Sequence, residues 1–410
     1  MLEMRNMLSI ENQKTENEKM KNLRKIGKIE AGVLGIIVVM TGLVSAGTLS
    51  RGMTAGLEIQ QNQIFEWIQE DVYVIEDVNG FSTSLLFDEN DVPHIFFITE
   101  NNKLMHSEKS NLGWIDEILD TGVKGKSVSA KLDTNGIFHI SYGKENLMYL
   151  KSSLNGWQNP VVVDSEVEVT SEFYVSMDLD SNNKPHISYY DPVNKDLKYA
   201  CKEELSTFTM KTTSNWDIII VDSDGKVGNY NTIVVDSLNR VHIAYNDHTK
   251  FDIKYAIKTG EGFELEIIEK NRYFGASPSI TVDENDLPFI AHCGFSGLKL
   301  TYKVNSDDWR SEIIDPDQTQ CFDPSIVIDE NQDIHIGFSK CMRDGINIKF
   351  NLMYTKKIAG QWNIETVIDG EPFQFLAFGI SLDLDSNNIP RMSYVDYIMD
   401  NTLESVYRTA

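Results

Sequence analysis

The sequence predicts an all-β fold: a seven-bladed β-propeller of four-stranded antiparallel blades, its last blade closed by an N-terminal strand, the whole preceded by an N-terminal hydrophobic helix. Three observations predict it. One segment recurs seven times, residues of the same chemistry stand at fixed offsets in each copy, and the last copy lacks a strand that a stretch near the N-terminus supplies.

In chain order, residues 1–30 form a basic lead. Ala31 to Gly47, AGVLGIIVVMTGLVSAG, is uncharged throughout. Lys19, Lys21, Arg24, Lys25 and Lys28 precede it and only Arg51 follows closely, a bias that leaves the N-terminus inside and the remainder outside the cell. The run is shorter than the ~20 residues of a usual membrane helix, and Val44-Ser45-Ala46 fits a small-residue cleavage site. It is therefore expected to be a signal peptide or, if uncleaved, a membrane anchor, with the product secreted or held at the cell surface. Residues 48–64 read as a linker and 65–410 as the ring. Past Gly47 stand 30 of the 37 basic and 57 of the 62 acidic residues, which excludes the basic surface that nucleic acid needs.

The repeats begin DENDVPHIFF, DTNGIFHISY, DSNNKPHISYY, DSLNRVHIAY, DENDLPFIAH, DENQDIHIGF and DSNNIPRMSY, at Asp88, Asp133, Asp180, Asp236, Asp283, Asp329 and Asp385. The spacings of 45, 47, 56, 47, 46 and 56 residues suit four short strands and their turns. Within a copy, an apolar first strand runs into the Asp-rich cluster, whose side chains bond nearby backbone in tight turns. PHISY-like and LKYA-like segments give strands two and three, and the fourth follows a tryptophan, as in WIDEILD. The last copy stops after Tyr407, just before Ala410. Phe65 to Asp77, FEWIQEDVYVIED, carries the remaining tryptophan, Trp67, and is read as the missing fourth strand, which hides two open sheet edges.

Four residues before each Asp stands a hydroxyl (Ser84, Ser129, Ser176, Thr232, Ser279, Ser325, Ser381). Six after it stand His94, His139, His186, His242, Phe289, His335 and Arg391, and nine after it Phe97, Tyr142, Tyr189, Tyr245, His292, Phe338 and Tyr394. Two more columns follow: His106, Tyr149, Tyr199, Tyr255, Tyr302, Tyr354 and Tyr407, then Trp114, Trp157, Trp216, Phe263, Trp309 and Trp362. A hydroxyl–Asp set repeated seven times around a ring, five times with His, is architecture, since chemistry needs one asymmetric place. Asp178, Asp180 and Asn182 begin like a calcium loop, but the bidentate Glu of a tight site is missing. A weak calcium site is the most they suggest, and no other cofactor is expected.

The D-x-N-x-x-P-H-I-S-Y and L-x-Y…G-x-W pattern, over about 78 to 410, resembles the sialidase-like, neuraminidase-repeat propellers of microbial surfaces. The resemblance implies a propeller fold and, as one possible activity, glycoside hydrolysis. Neither the strict Ser/Thr-x-Asp-x-Gly-x-Thr-Trp box nor Arg-Ile-Pro occurs, so no catalytic residue is carried over.

Function is expected on the face shared by the loops entering strand one and those joining strands two and three. Tyr190, Asp191, Asp247 and Asp396 lie in or beside the latter, Arg343 in the longest of them, and His292 and Arg391 break their columns; these seven are the candidate ligand residues. Aromatics with carboxylates suit sugar or a protein interface. The reading is a monomeric, surface-displayed binding module for a glycan or protein partner; the alternative is a sialidase-like hydrolase. Among the four cysteines, Cys321 and Cys341 are expected to pair across that face, with Cys293 as the competing partner and Cys201 free.

Overall fold

A computed structural model describes residues 66–73, 82–202, 216–270, 277–294, 297–315, 319–344, 347–358, 360–370, 378–396 and 402–409. The predicted hydrophobic helix, the linker, Phe65 and residues 74–77 lie outside the described residues. Among the described residues no helix is long and apolar enough to cross a membrane.

Seven antiparallel sheets each belong to one repeat. Six run strand one to four in chain order, the second with its fourth strand split into Gly156–Trp157 and Val161–Asp164. The seventh places Trp67–Tyr73 outside Thr402–Arg408, Pro390–Asp396 and Phe378–Leu384, with Trp67 opposite Arg408 and Asp71 opposite Glu404. The N-terminal strand thus closes the ring.

Each repeated column has one mechanical task. The Asp that opens a copy caps a tight turn: Asp180 Oδ1 accepts the N–H groups of Asn182 and Lys184 (both 2.9 Å), and Asp88, Asp133, Asp236, Asp283, Asp329 and Asp385 do the same two and four residues on. The turn requires a left-handed residue at its third following position, supplied by Asp91, Gly136, Asn183, Asn239, Asp286, Gln332 and Asn388. Several of these reach sideways to the neighbouring turn, as Asp286 does to Ser237 N–H (2.9 Å) and Asp91 to Ser386 N–H (2.7 Å).

The hydroxyl column is a belt around the inside. Ser84, Ser129, Ser176, Ser279, Ser325 and Ser381 each accept a backbone N–H from the next blade's first strand at 3.0–3.2 Å; Leu85 N–H to Ser381 Oγ joins the first blade to the last. Thr232 instead donates to the Pro278 carbonyl. The residue after each member of the His column is Ile95, Ile140, Ile187, Ile243, Ile290, Ile336 or Met392, and all seven are fully buried. Each such side chain is worth roughly 1.5–3 kcal/mol of burial. Further out, the Trp column of one blade packs on the Tyr column of the blade before it: Trp216 on Tyr149, Phe263 on Tyr199, Trp309 on Tyr255 and Trp67 on Tyr354, with ring centroids 5.1–5.3 Å apart. Trp67 filling this column shows that the closing strand is the seventh blade's own fourth strand.

Candidate binding site at the channel mouth

The ring breaks its symmetry at one end of its central channel. The first strands enclose about 570 Å3, lined by residues of all seven blades. At the end where the chain enters these strands stand Ser82, Ser127, Tyr174, Tyr230, Ser277, Asp323 and Gly379, two residues before the hydroxyl belt. No common side chain fills this column, in contrast to those that build the ring.

Backbone irregularity places three of these residues, Gly379 within the shift between Phe378 and Ser381, and Tyr230 and Asp323 within two others. Ladder register shifts between Val227 and Asn231 and between Phe322 and Ser325. Such bulges re-aim side chains. The first uses Gly228, whose added Cβ would lie 2.7 Å from the Leu197 Cβ. The second holds Asp323 at φ 45°, a left-handed conformation unusual for a residue other than glycine, and harder still before Pro324. Strain of this kind gathers at functional sites.

The Tyr174 and Tyr230 rings stand 4.7 Å apart, tilted by 53°. Their hydroxyls bond one another, and burial pushes the pKa of both above the ordinary tyrosine range. Asp323 Oδ1 accepts from Ser277 Oγ (3.0 Å) and Oδ2 from Gly379 N–H (3.1 Å), so three blades meet at one half-buried carboxylate. Burial raises its pKa against those hydrogen bonds. Phe322 and Phe378 complete the apolar wall. The arrangement offers two aromatic faces, one carboxylate and several hydroxyls around a concavity, the means to hold a small polar ligand.

At the far end Lys131 lies 3.4 Å from Asp178 Oδ1, and Asp178 raises its pKa. Asp383 completes the group: it accepts Phe87 N–H at 3.2 Å, and burial lifts its carboxyl to about 6.

The seven residues singled out from the sequence do not converge. None lines the channel. Tyr190 is buried behind Tyr174, its N–H donating to the Tyr174 carbonyl (2.9 Å). Asp191 is buried, capping a turn through Val193 and Asn194 N–H and pairing with Lys198 (2.9 Å). Asp247 caps the Thr249–Lys250 turn in the same way. His292 is fully buried against Thr301 Oγ1 (2.8 Å). Arg391 lies at the opposite end of its strand from the half-buried Asp396; it packs on the Tyr407 ring (4.5 Å) and meets Glu70 (3.3 Å). Arg343 is exposed, and its expected loop is regular instead: Ile334–Asp344 and Asn347–Ile358 form one long hairpin.

The expected disulfide changes. The disulfide joins Cys293 to Cys321, with Cα atoms 5.5 Å apart, while Cys341 and Cys201 are free. The expected Cys321–Cys341 pair fails because the long hairpin sets Lys340, not Cys341, opposite Cys321, whereas Cys293 reaches across from the neighbouring blade. The Asp178–Asp180–Asn182 cluster is engaged by protein groups: Asp178 Oδ2 accepts Val235 N–H (2.7 Å), and Asp180 caps its turn. Among the described residues no group of three or more His, Cys, Asp or Glu is arranged to hold a metal.

No protein-family model matches the chain, and no curated protein matches it in sequence. Solved structures similar to it include AofleA from Arthrobotrys oligospora (12% identical over 75% of this chain and 91% of that one, TM-score 0.49). The fucose-specific lectin from Aleuria aurantia (13% identical, 75% and 99% covered, TM-score 0.46) and the alpha-L-arabinanase from Penicillium chrysogenum (14% identical, 69% and 92% covered, TM-score 0.42) are others. At such identities and scores these likenesses carry no argument about what this chain binds. Of the sialidase-like resemblance, the propeller fold is what stands.

Proposed function

We propose that the chain is an exported binding module that holds a carbohydrate at the channel mouth. The observation that carries this reading is the convergence of Tyr174, Tyr230, Asp323 and Ser277 in a variable column at the mouth of an otherwise repetitive ring. Aromatic faces pack on the C–H faces of a sugar ring, while a carboxylate held by neutral donors keeps acceptor capacity for sugar hydroxyls. The rim carboxylates, by contrast, cap turns or pair with lysines. Hydrolysis is the weaker reading. It needs two carboxylates about 5–9 Å apart. Among the described channel-lining residues the acids are Asp323 and Asp383, four positions apart along the strands, on the order of 13 Å.

A glycan array with the secreted ring tests the proposal. Selective retention of a glycan class, with no sugar released from it on prolonged incubation, is expected. Release of free sugar would favour the hydrolase, and an array without binding would remove the carbohydrate reading.

A further inference from the structure

Asp323 differs in its partners from the acids that pair with lysines elsewhere in the ring. Asp164 and Asp191 share Lys198 (3.3 and 2.9 Å), Asp315 pairs with Lys340 (2.7 Å), Asp222 with Lys254, and Asp178 and Asp383 flank Lys131. The side-chain and backbone donors to Asp323 are neutral, Ser277 Oγ and Gly379 N–H. Taking a carboxylate out of water without a counter-charge is costly, and its desolvation is not offset by any lysine or arginine among the described residues. Its charge is felt by both mouth tyrosines, as is that of Glu172 on the rim, whose own partner is Lys226 (3.2 Å). A carboxylate that shares the channel mouth with two electron-rich rings, in a negative field, is a receptor for a cation.

We propose that the mouth takes a ligand bearing a protonated amine, seated against Asp323 and the faces of Tyr174 and Tyr230; given the carbohydrate reading on which it rests, this is a hexosamine whose nitrogen is not acetylated. The cation supplies the charge that the ring leaves out. The same field repels sialic and uronic acids, whose carboxylates would meet Asp323.

The test compares two tetrasaccharides of one backbone, glucosamine and N-acetylglucosamine, by calorimetry at pH 6, where the free amines are protonated. A charge-assisted hydrogen bond of this kind is worth about 10- to 100-fold in affinity, so the glucosamine oligomer should bind tighter by that factor. Asp323→Asn should bring the two within about twofold. Asn tolerates the left-handed conformation, so this variant should keep the bulge, with an unchanged melting temperature as the check. Tyr174→Phe, which keeps the ring face, should retain the discrimination. If the acetylated oligomer binds as tightly, the amine inference falls and the carbohydrate reading stands. If neither oligomer binds but n-butylammonium binds in an Asp323-dependent way, the carbohydrate reading falls and the ammonium site stands. If none of the three binds, both fall.

Discussion

His242 shows what one repeated residue does. Its Nε2–H donates to the turn carboxylate of Asp236 (3.0 Å), which leaves Nδ1 to accept the Tyr255 hydroxyl (2.7 Å). His139 and His335 sit in the same arrangement with their own Asp and Tyr, while His186 keeps the tyrosine bond and holds Nε2 3.5 Å from Asp180. The neutral ring is the form that fits, and burial lowers the pKa of His139, His242 and His335. Burial and then the charge of His106 bring His94 to about 4; burial and then Lys299 bring His292 to about 3. A histidine whose folded pKa is depressed contributes stability that is full above its ordinary pKa near 6.5 and is lost as pH falls toward the folded value. Melting temperature should therefore drop between pH 6.5 and 4, and His292→Gln should close its gap to the parent over that range. A gap that holds constant would contradict the assignment. The chemistry of such columns was legible in the sequence because turns and cross-strand pairs are set by local spacing. The mouth was not, although its signal was present: two residues before the hydroxyl column, conformity gives way to Tyr174, Tyr230, Asp323 and Gly379. Asp191 and Asp247 cap turns, a task that looks the same as awaiting a ligand in one dimension.

Among the elements, the closing strand carries the most consequence. Asp71 on it stands opposite Glu404 on the C-terminal strand. Glu404 is buried, and burial, then the Asp71 charge, raises its carboxyl to about 7. In two other blades the residue paired with the strand-two tyrosine is a lysine, Lys198 or Lys254; here it is an acid facing an acid. A carboxyl whose folded pKa is raised gives stability that is full below its ordinary pKa and is lost as pH rises through about 7. Glu404→Gln should thus melt higher than the parent at pH 8, by on the order of 1–3 kcal/mol, with a smaller difference at pH 5. A variant less stable than the parent at pH 8 would contradict the seam's electrostatics. The closing strand itself was readable from its displaced tryptophan. The disulfide was not, because adjacency between blades depends on how far the sixth blade's hairpin extends. Cys293–Cys321 closes a 28-residue separation, so reduction should cost nominally about 3–4 kcal/mol. Peptide mapping without reduction should recover those two cysteines linked, with Cys201 and Cys341 alkylated; any linkage of Cys341 would contradict it.

At the scale of the molecule, seven near-equivalent blades divide labour between what repeats and what does not. Turns, hydroxyl belt, buried isoleucines and aromatic girdle repeat, and they leave a rigid ring with its edges sealed. Function is then free to occupy a column that does not repeat, here the one at the channel mouth. The most direct measurement of that claim sets a mouth variant against a rim variant, using the tightest ligand from the glycan array. Tyr230→Ala should weaken binding at least tenfold, while Arg343→Ala, on the exposed hairpin, should leave it within about twofold, at equal melting temperatures. Loss of binding in Arg343→Ala with Tyr230→Ala unaffected would place the site on the rim and contradict the account.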